Sequence, residues 1–211
     1  MVNRILKVQG TGIVEEKPDI LYLNFNVQNK EYTYEEAMSK VNIRTNELKK
    51  NLSEVGIQKS DVKTSSYNID TTYRRVNDKN IFDGYRCTHN LEVELPVDSE
   101  LIRKAIEKIV SSGIDVPFSM NFSVKDKEAM RKKVIENGVK DALSKAEIIS
   151  KAAGVRLGNI ISISHGWNEV RFYHNNNIDI DRMALKCEAM PDITPRDIKA
   201  SDYVNVEWEI E

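Results

Sequence analysis

The sequence predicts an α+β protein: a largely antiparallel sheet with helices packed on one face, in the order ββαββαβαββ. Three observations predict it. Several short segments alternate apolar and polar residues at period two, three longer segments carry apolar residues at helical spacing, and Gly, Pro and Asn/Asp clusters punctuate them at hairpin-like distances.

The first two strands run over about 5–15 and from Asp19 onward, where Leu21, Leu23, Phe25 and Val27 alternate with Tyr22, Asn24 and Asn26. Glu16-Lys17-Pro18-Asp19 between them is turn chemistry, which predicts a hairpin. Thr33 with Glu36 forms a capping box, and Ala37, Met38, Val41, Leu48, Leu52 and Val55 then recur as one helical stripe ending at Gly56. Two strands follow, about 61–75 and 81–95, joined through Asn77-Asp78-Lys79-Asn80. On the later one Tyr85, Cys87, His89, Leu91, Val93 and Leu95 share a face.

Pro96 and Asp98 open a short helix with the stripe Leu101, Ile102, Ala105, Ile106 and Ile109, closed by Gly113. Phe118, Met120, Phe122 and Val124 make the next strand. Asp126 then caps the longest helix, whose inner stripe reads Met130, Val134, Gly138, Ala142, Ala146, Ile149 and Ala153 before Gly154. Gly138 costs about 1 kcal/mol against Ala in a helix interior, which predicts a tight packing contact there. Strands over 159–164 and 203–210 finish the chain, the last facing Val204, Val206, Trp208 and Ile210 inward. Between them about 165–200 shows no period, an irregular excursion long enough to suggest a function. With no linker in sight, residues 1–211 read as a single domain.

Composition narrows the function classes. Of 211 residues, 40% are hydrophobic and 30% charged, a globular balance. Basic and acidic residues number 31 and 33, for a formal net charge of -2, which argues against a nucleic-acid partner. No apolar run approaches the roughly 18 residues of a spanning helix, and Met1 to Gly10 shows no apolar leader segment with a small-residue cleavage site. As written the chain reads as cytoplasmic; a trimmed leader would instead make it periplasmic or envelope-associated. Cys87 and Cys187 read as two reduced thiols rather than a disulfide framework.

No catalytic, cofactor-binding or metal-binding residue is assigned. Gly10-Thr11-Gly12 lacks the following helix of a phosphate loop, so a strand bend or bulge is expected. His89 beside Cys87 could be drawn as a metal pair, yet a satisfied core histidine is the better reading. His174 near Asp179 and Asp181, and Ser162 and Ser164 beside His165, form no motif of an enzyme class. Arg131, Lys132, Lys133, Lys140, Lys145 and Lys151, interspersed with acids, read as the solvated face of the long helix.

A series of short motifs resembles the SIMPL-domain family across nearly the whole chain. They are Val8-Gln9-Gly10-Thr11-Gly12 with Lys17-Pro18-Asp19, then Gly56-Ile57, Asp61-Val62 and Thr64-Ser65 with Tyr67. Gly84-Tyr85, Leu91-Glu92-Val93, Phe122-Ser123-Val124, Lys145-Ala146 and the Gly154-to-Gly158 passage follow in order. Pro195 is followed by Arg196 where the family shows glycine. The resemblance implies bacterial envelope or periplasmic proteins, some linked to oxidative-stress tolerance and some forming ring-like oligomers, and an animal signalling adaptor that associates with a kinase. It supplies no catalytic residues. The expectation is therefore a non-enzymatic, self-associating structural or binding protein without cofactors. A monomeric interaction adaptor is the alternative, and a hydrolase or metal-dependent enzyme a third. The apolar residues within 172–190 are expected to help hold the oligomer together.

Overall fold

The computed structural model describes residues 4–166, 171–173, 177–179 and 194–211. Its strands are β1 (Ile5–Glu16), β2 (Ile20–Glu31), β3 (Val62–Val76), β4 (Lys79–Pro96), β5 (Phe118–Ser123), β6 (Leu157–His165), β7 (Arg171–Tyr173), β8 (Asn177–Asp179) and β9 (Ile198–Ile210). The helices are α1 (Tyr34–Glu54), α2 (Ser99–Ser111) and α3 (Lys127–Ala153). The α+β class holds, and every strand pairing is antiparallel. The strands form two sheets rather than one, and the chain divides into two compact units.

One unit holds β2, α1, β3, β4, α2, β5 and the short β8. Its sheet order β3-β4-β2-β5-β8 is, for the first four strands, that of the split-βαβ, ferredoxin-like arrangement. Leu21, Leu23, Phe25 and Val27 of β2, Leu91 and Val93 of β4, and Met120 and Phe122 of β5 bury against the stripes of α1 and α2. Asp98 caps α2 by accepting from the amides of Glu100 and Leu101. The β3–β4 hairpin closes in two residues, Asn77 and Asp78, both at positive φ (46° and 60°) as the twist of such a ribbon requires.

The other unit holds β1, α3, β6, β7 and β9, with sheet order β1-β9-β6 and β7 beside the start of β9. The expected β1–β2 hairpin does not form. β1 pairs instead with β9 over its full twelve residues, Ile5 opposite Glu209 through Glu16 opposite Ile198, and the Pro18 turn is a passage between units. Turn residues mark a change of direction; they do not choose the partner. β9 begins at Ile198, five residues before the expected start, because Ile198 and Ala200 pack under α3 with Met130 and Val134. Part of the irregular 165–200 excursion is the strands β7 and β8; most of the remainder lies outside the described residues.

The expected bulge at Gly10 and Gly12 is absent, since the β1–β9 register runs unbroken through both. They are glycines because α3 lies on them. A Cβ at Gly10 would sit 1.9 Å from the Gly138 carbonyl oxygen, and one at Gly12 1.8 Å from that of Val134. Gly138 is buried as expected, with the site of its own Cβ 3.1 Å from Val204 Cγ2. The inner stripe ends differently: Ser150 is buried, whereas Ile149 and Ala153 are exposed.

This close approach also closes the outer edge of β1. The Thr11 amide donates to Asp141 Oδ2 (2.7 Å), while the Gln9 and Ile13 carbonyls accept from Lys145 Nζ (3.3 Å) and Asn137 Nδ2 (3.1 Å). Lys145 and then the Thr11 amide hold the Asp141 carboxyl below its usual range. Two lysines read as solvated are thus engaged, Lys145 here and Lys133 with Glu16 at 2.6 Å.

The glycine contact makes a ranked prediction. Gly12→Ala and Gly10→Ala drive a methyl into helix backbone and should each cost at least about 3 kcal/mol in denaturant unfolding. Gly138→Ala, which meets only a valine methyl, should cost less, and Gly138→Leu more than Gly138→Ala. Equal stability for Gly12→Ala would mean that α3 does not dock on β1.

Candidate functional site

Alternation along β4 turns Cys87, His89, Leu91 and Val93 toward the helices of their unit. His89 is buried, and both ring nitrogens are engaged: Nδ1 lies 3.1 Å from Thr45 Oγ1 of α1, and Nε2 2.8 Å from Thr64 Oγ1 of β3. The Tyr67 ring stands edge-on to the imidazole, centroids 4.9 Å apart. A neutral imidazole has one donor and one acceptor, and two hydroxyls satisfy both whichever tautomer is present. Burial, then the charge of Lys49, pushes the His89 pKa below its ordinary value. Burial first, then hydrogen bonding to the Cys87 thiol, pushes the Tyr67 phenol up to about 12.

His89 therefore ties α1, β3 and β4 together as a neutral bridge. Cys87 is a free, buried thiol beneath Tyr67. Among the described residues no three His, Cys, Asp or Glu side chains gather as a metal site. His174, Asp181 and Cys187 lie outside the described residues, as does the side chain of Asp179.

In the other unit His165 ends β6, its Nε2 2.6 Å from Asp202 Oδ2, while Asp202 Oδ1 accepts the Tyr203 amide at 2.7 Å. Ser164 lies opposite Asn205 and His165 opposite Val204, so the two neighbours face opposite sides of the sheet. Ser162 shares the side of Ser164. Sequence adjacency brings no serine to this imidazole.

A groove of about 410 Å³ opens on the five-stranded sheet, lined by Asn24, Asn26, Ser65, Asn90, Ser119 and the Pro117–Phe118 corner. Asn26 Nδ2 donates to Asn90 Oδ1 (2.6 Å), and Asn90 Nδ2 donates to Ser66 Oγ (2.8 Å). These polar side chains carry no titratable group, so they can hold an uncharged hydrogen-bonding ligand but cannot transfer a proton near neutrality. Sequence alternation put Asn24 and Asn26 on the polar face of their strand and missed the groove. The signal was the in-register pairing of Asn26 with Asn90, which needs the β2–β4 alignment.

Fold and site together define an α+β protein of two antiparallel units, whose buried histidine is a structural bridge and whose polar groove suits binding. The chain belongs to the SIMPL family, described as "Protein of unknown function (DUF541)", which it matches over residues 6–208. It is 27% identical over 164 residues to the 26 kDa periplasmic immunogenic protein of Brucella melitensis, covering 75% of this chain and 65% of that protein. The Brucella abortus protein of the same name is 26% identical over the same length. The "Uncharacterized protein YggE" of Edwardsiella ictaluri is 24% identical over 157 residues, 74% of this chain. The chain thus spans about two thirds (65%) of the length of each curated relative it matches.

The bridge should show in the pH dependence of stability. The folded chain resists protonating His89, whereas the unfolded chain takes up that proton near the ordinary value of 6.5. Stability is therefore lost as pH falls through that value. The drop in melting temperature between about pH 7.5 and about pH 5.5 should shrink in His89→Gln; an unchanged drop would place the titration elsewhere. Separately, Cys87→Ser should cost about 1–3 kcal/mol by burying a hydroxyl, and a neutral result in urea would put this face in solvent.

Proposed function

We propose that the protein is a non-enzymatic, self-associating structural or binding protein, with its two units working as one family domain. The observation that carries this reading is the end of the β3–β4 hairpin. β2 accompanies β4 only as far as Tyr85, so from Lys79 to Gly84 β4 has β3 alone beside it among the described residues. A two-stranded ribbon is marginal in water by itself. Here a run of edge-to-face aromatics leads from the ribbon back to α1, Tyr73 to Phe82 (6.2 Å), Phe82 to Tyr85 (5.3 Å) and Tyr85 to Tyr34 (6.3 Å). Tyr73 is 60% exposed, and Val76, Ile81 and Phe82 are exposed beside it. Apolar surface of this kind on a projecting hairpin end is suited to a protein partner.

The double engagement of His89 supports a non-enzymatic reading over a hydrolase or metal-dependent one. The relatives named as periplasmic support the same compartment for this chain, and no described helix is long and apolar enough to cross a membrane. A stress-related setting rests on family likeness alone. The expected contribution of 172–190 to assembly falls mostly outside the described residues and stays part of the proposal.

Light scattering should find an oligomer at high micromolar concentration. Tyr73→Ser with Phe82→Ser should weaken it by about tenfold or more, because exposed aromatic anchors contribute about 1–2 kcal/mol each to an interface. A folded, strictly monomeric chain would favour the adaptor reading, with the arm serving a different protein.

A further inference from the structure

The two edges of the β1-β9-β6 sheet are treated differently. On β1 the Thr11 amide and the Gln9 and Ile13 carbonyls are taken by Asp141, Lys145 and Asn137 of α3. β6 pairs only with β9 among the described residues, and every residue from Gly158 to His165 is exposed. Ile160, Ile161 and Ile163 on it are 52%, 45% and 55% exposed. Between Arg156 and His165 the strand carries no charge, none of the lysines, prolines or inward charges that usually blunt an edge. Two register shifts bend it before Ser162, as bulges on edge strands do, and leave Ser162–His165 as the straight stretch, a little shorter than an average strand.

That stretch is self-complementary. Ser162-Ile163-Ser164 reads the same in both directions. Laid antiparallel on its own copy, Ile163 meets Ile163 of the partner subunit, and Ser162 meets Ser164 of the partner subunit. Cross-strand aliphatic and hydroxyl pairs of this kind are favourable, and no like charges meet. Tyr203, exposed on β9 next to β6, and Val139 and Leu143, exposed on α3, add apolar surface on the same unit. We propose that β6 pairs with β6 of a second copy about a two-fold axis at Ile163, joining two four-stranded sheets into one. The contact is isologous, so it closes as a dimer and leaves the hairpin arm for other contacts. It deepens the self-association reading above and rests on it.

The test is oxidative cross-linking of the full chain carrying Ile163→Cys in a Cys187→Ser background. Directly opposed residues of antiparallel strands fall within disulfide range, so a cross-linked dimer should be the main product. Ile13→Cys, on the closed β1 edge, should give about tenfold less under the same conditions. Ile163→Lys, which sets two ammonium groups face to face, should raise the dimer dissociation constant by at least about tenfold, with circular dichroism checking the fold. Should that variant fail to fold, the cross-link decides alone. An oligomer that keeps its mass with Ile163→Lys and gives no cross-link with Ile163→Cys would overturn the β6 contact while leaving self-association standing. A wild-type chain monomeric at high micromolar concentration would overturn both.

Discussion

The unit built from the ends of the chain depends on one contact, that of the α3 backbone with the backbone of β1 at Gly10 and Gly12. A helix normally stands off a sheet by the thickness of its side chains. Here two strand glycines and Gly138 remove that spacer, so helix carbonyls reach positions where strand Cβ atoms would be. Small residues further along α3, Ala142 and Ala146, continue the approach over Val8, Val204, Val206 and Trp208. The gain is dense packing of backbone and small groups, which tolerates almost no added volume.

Closeness has a second effect. Side chains one helical position off the buried stripe can reach around β1 and satisfy its outward-facing backbone groups. An unpaired backbone amide or carbonyl at an edge is a template for another strand, and Asp141, Lys145 and Asn137 remove three of them at once. The same helix does not extend this protection to β6. The asymmetry of the sheet is therefore set by where α3 lies, not by any difference between the strands' own propensities.

In the other unit the comparable role falls to a polar link. His89 holds α1 to β3 and β4 through two threonine hydroxyls in an otherwise apolar interior. Such a bridge is stable only when every donor and acceptor is matched, which accounts for a histidine where a leucine would seem simpler. The opposite face of that sheet is free of this constraint and carries the asparagine groove. A ferredoxin-like frame hosts many unrelated functions, so the functional argument comes from exposed surfaces and the groove, not from the frame.

Local sequence determined most elements: the caps at Thr33, Asp98 and Asp126, the stops at Gly56, Gly113 and Gly154, and the alternation that buries Cys87 and His89. Those signals act over one turn or one strand, so they survive in the sequence as short patterns. Gly138 was legible too, because a glycine in mid-helix needs a packing reason. Pairing was not legible. β1 and β9 lie at opposite ends of the chain, and the turn at Pro18 carries no information about which strand its neighbour will join. Gly10 and Gly12 looked like a bend because nothing local distinguishes a glycine that must turn from one that must let a helix through. The groove at Asn26 and Asn90, and the contrast between the closed β1 edge and the open β6 edge, arise only when distant strands and a helix share one register. Tertiary structure decided them, since each is a relation between backbones that no single segment encodes.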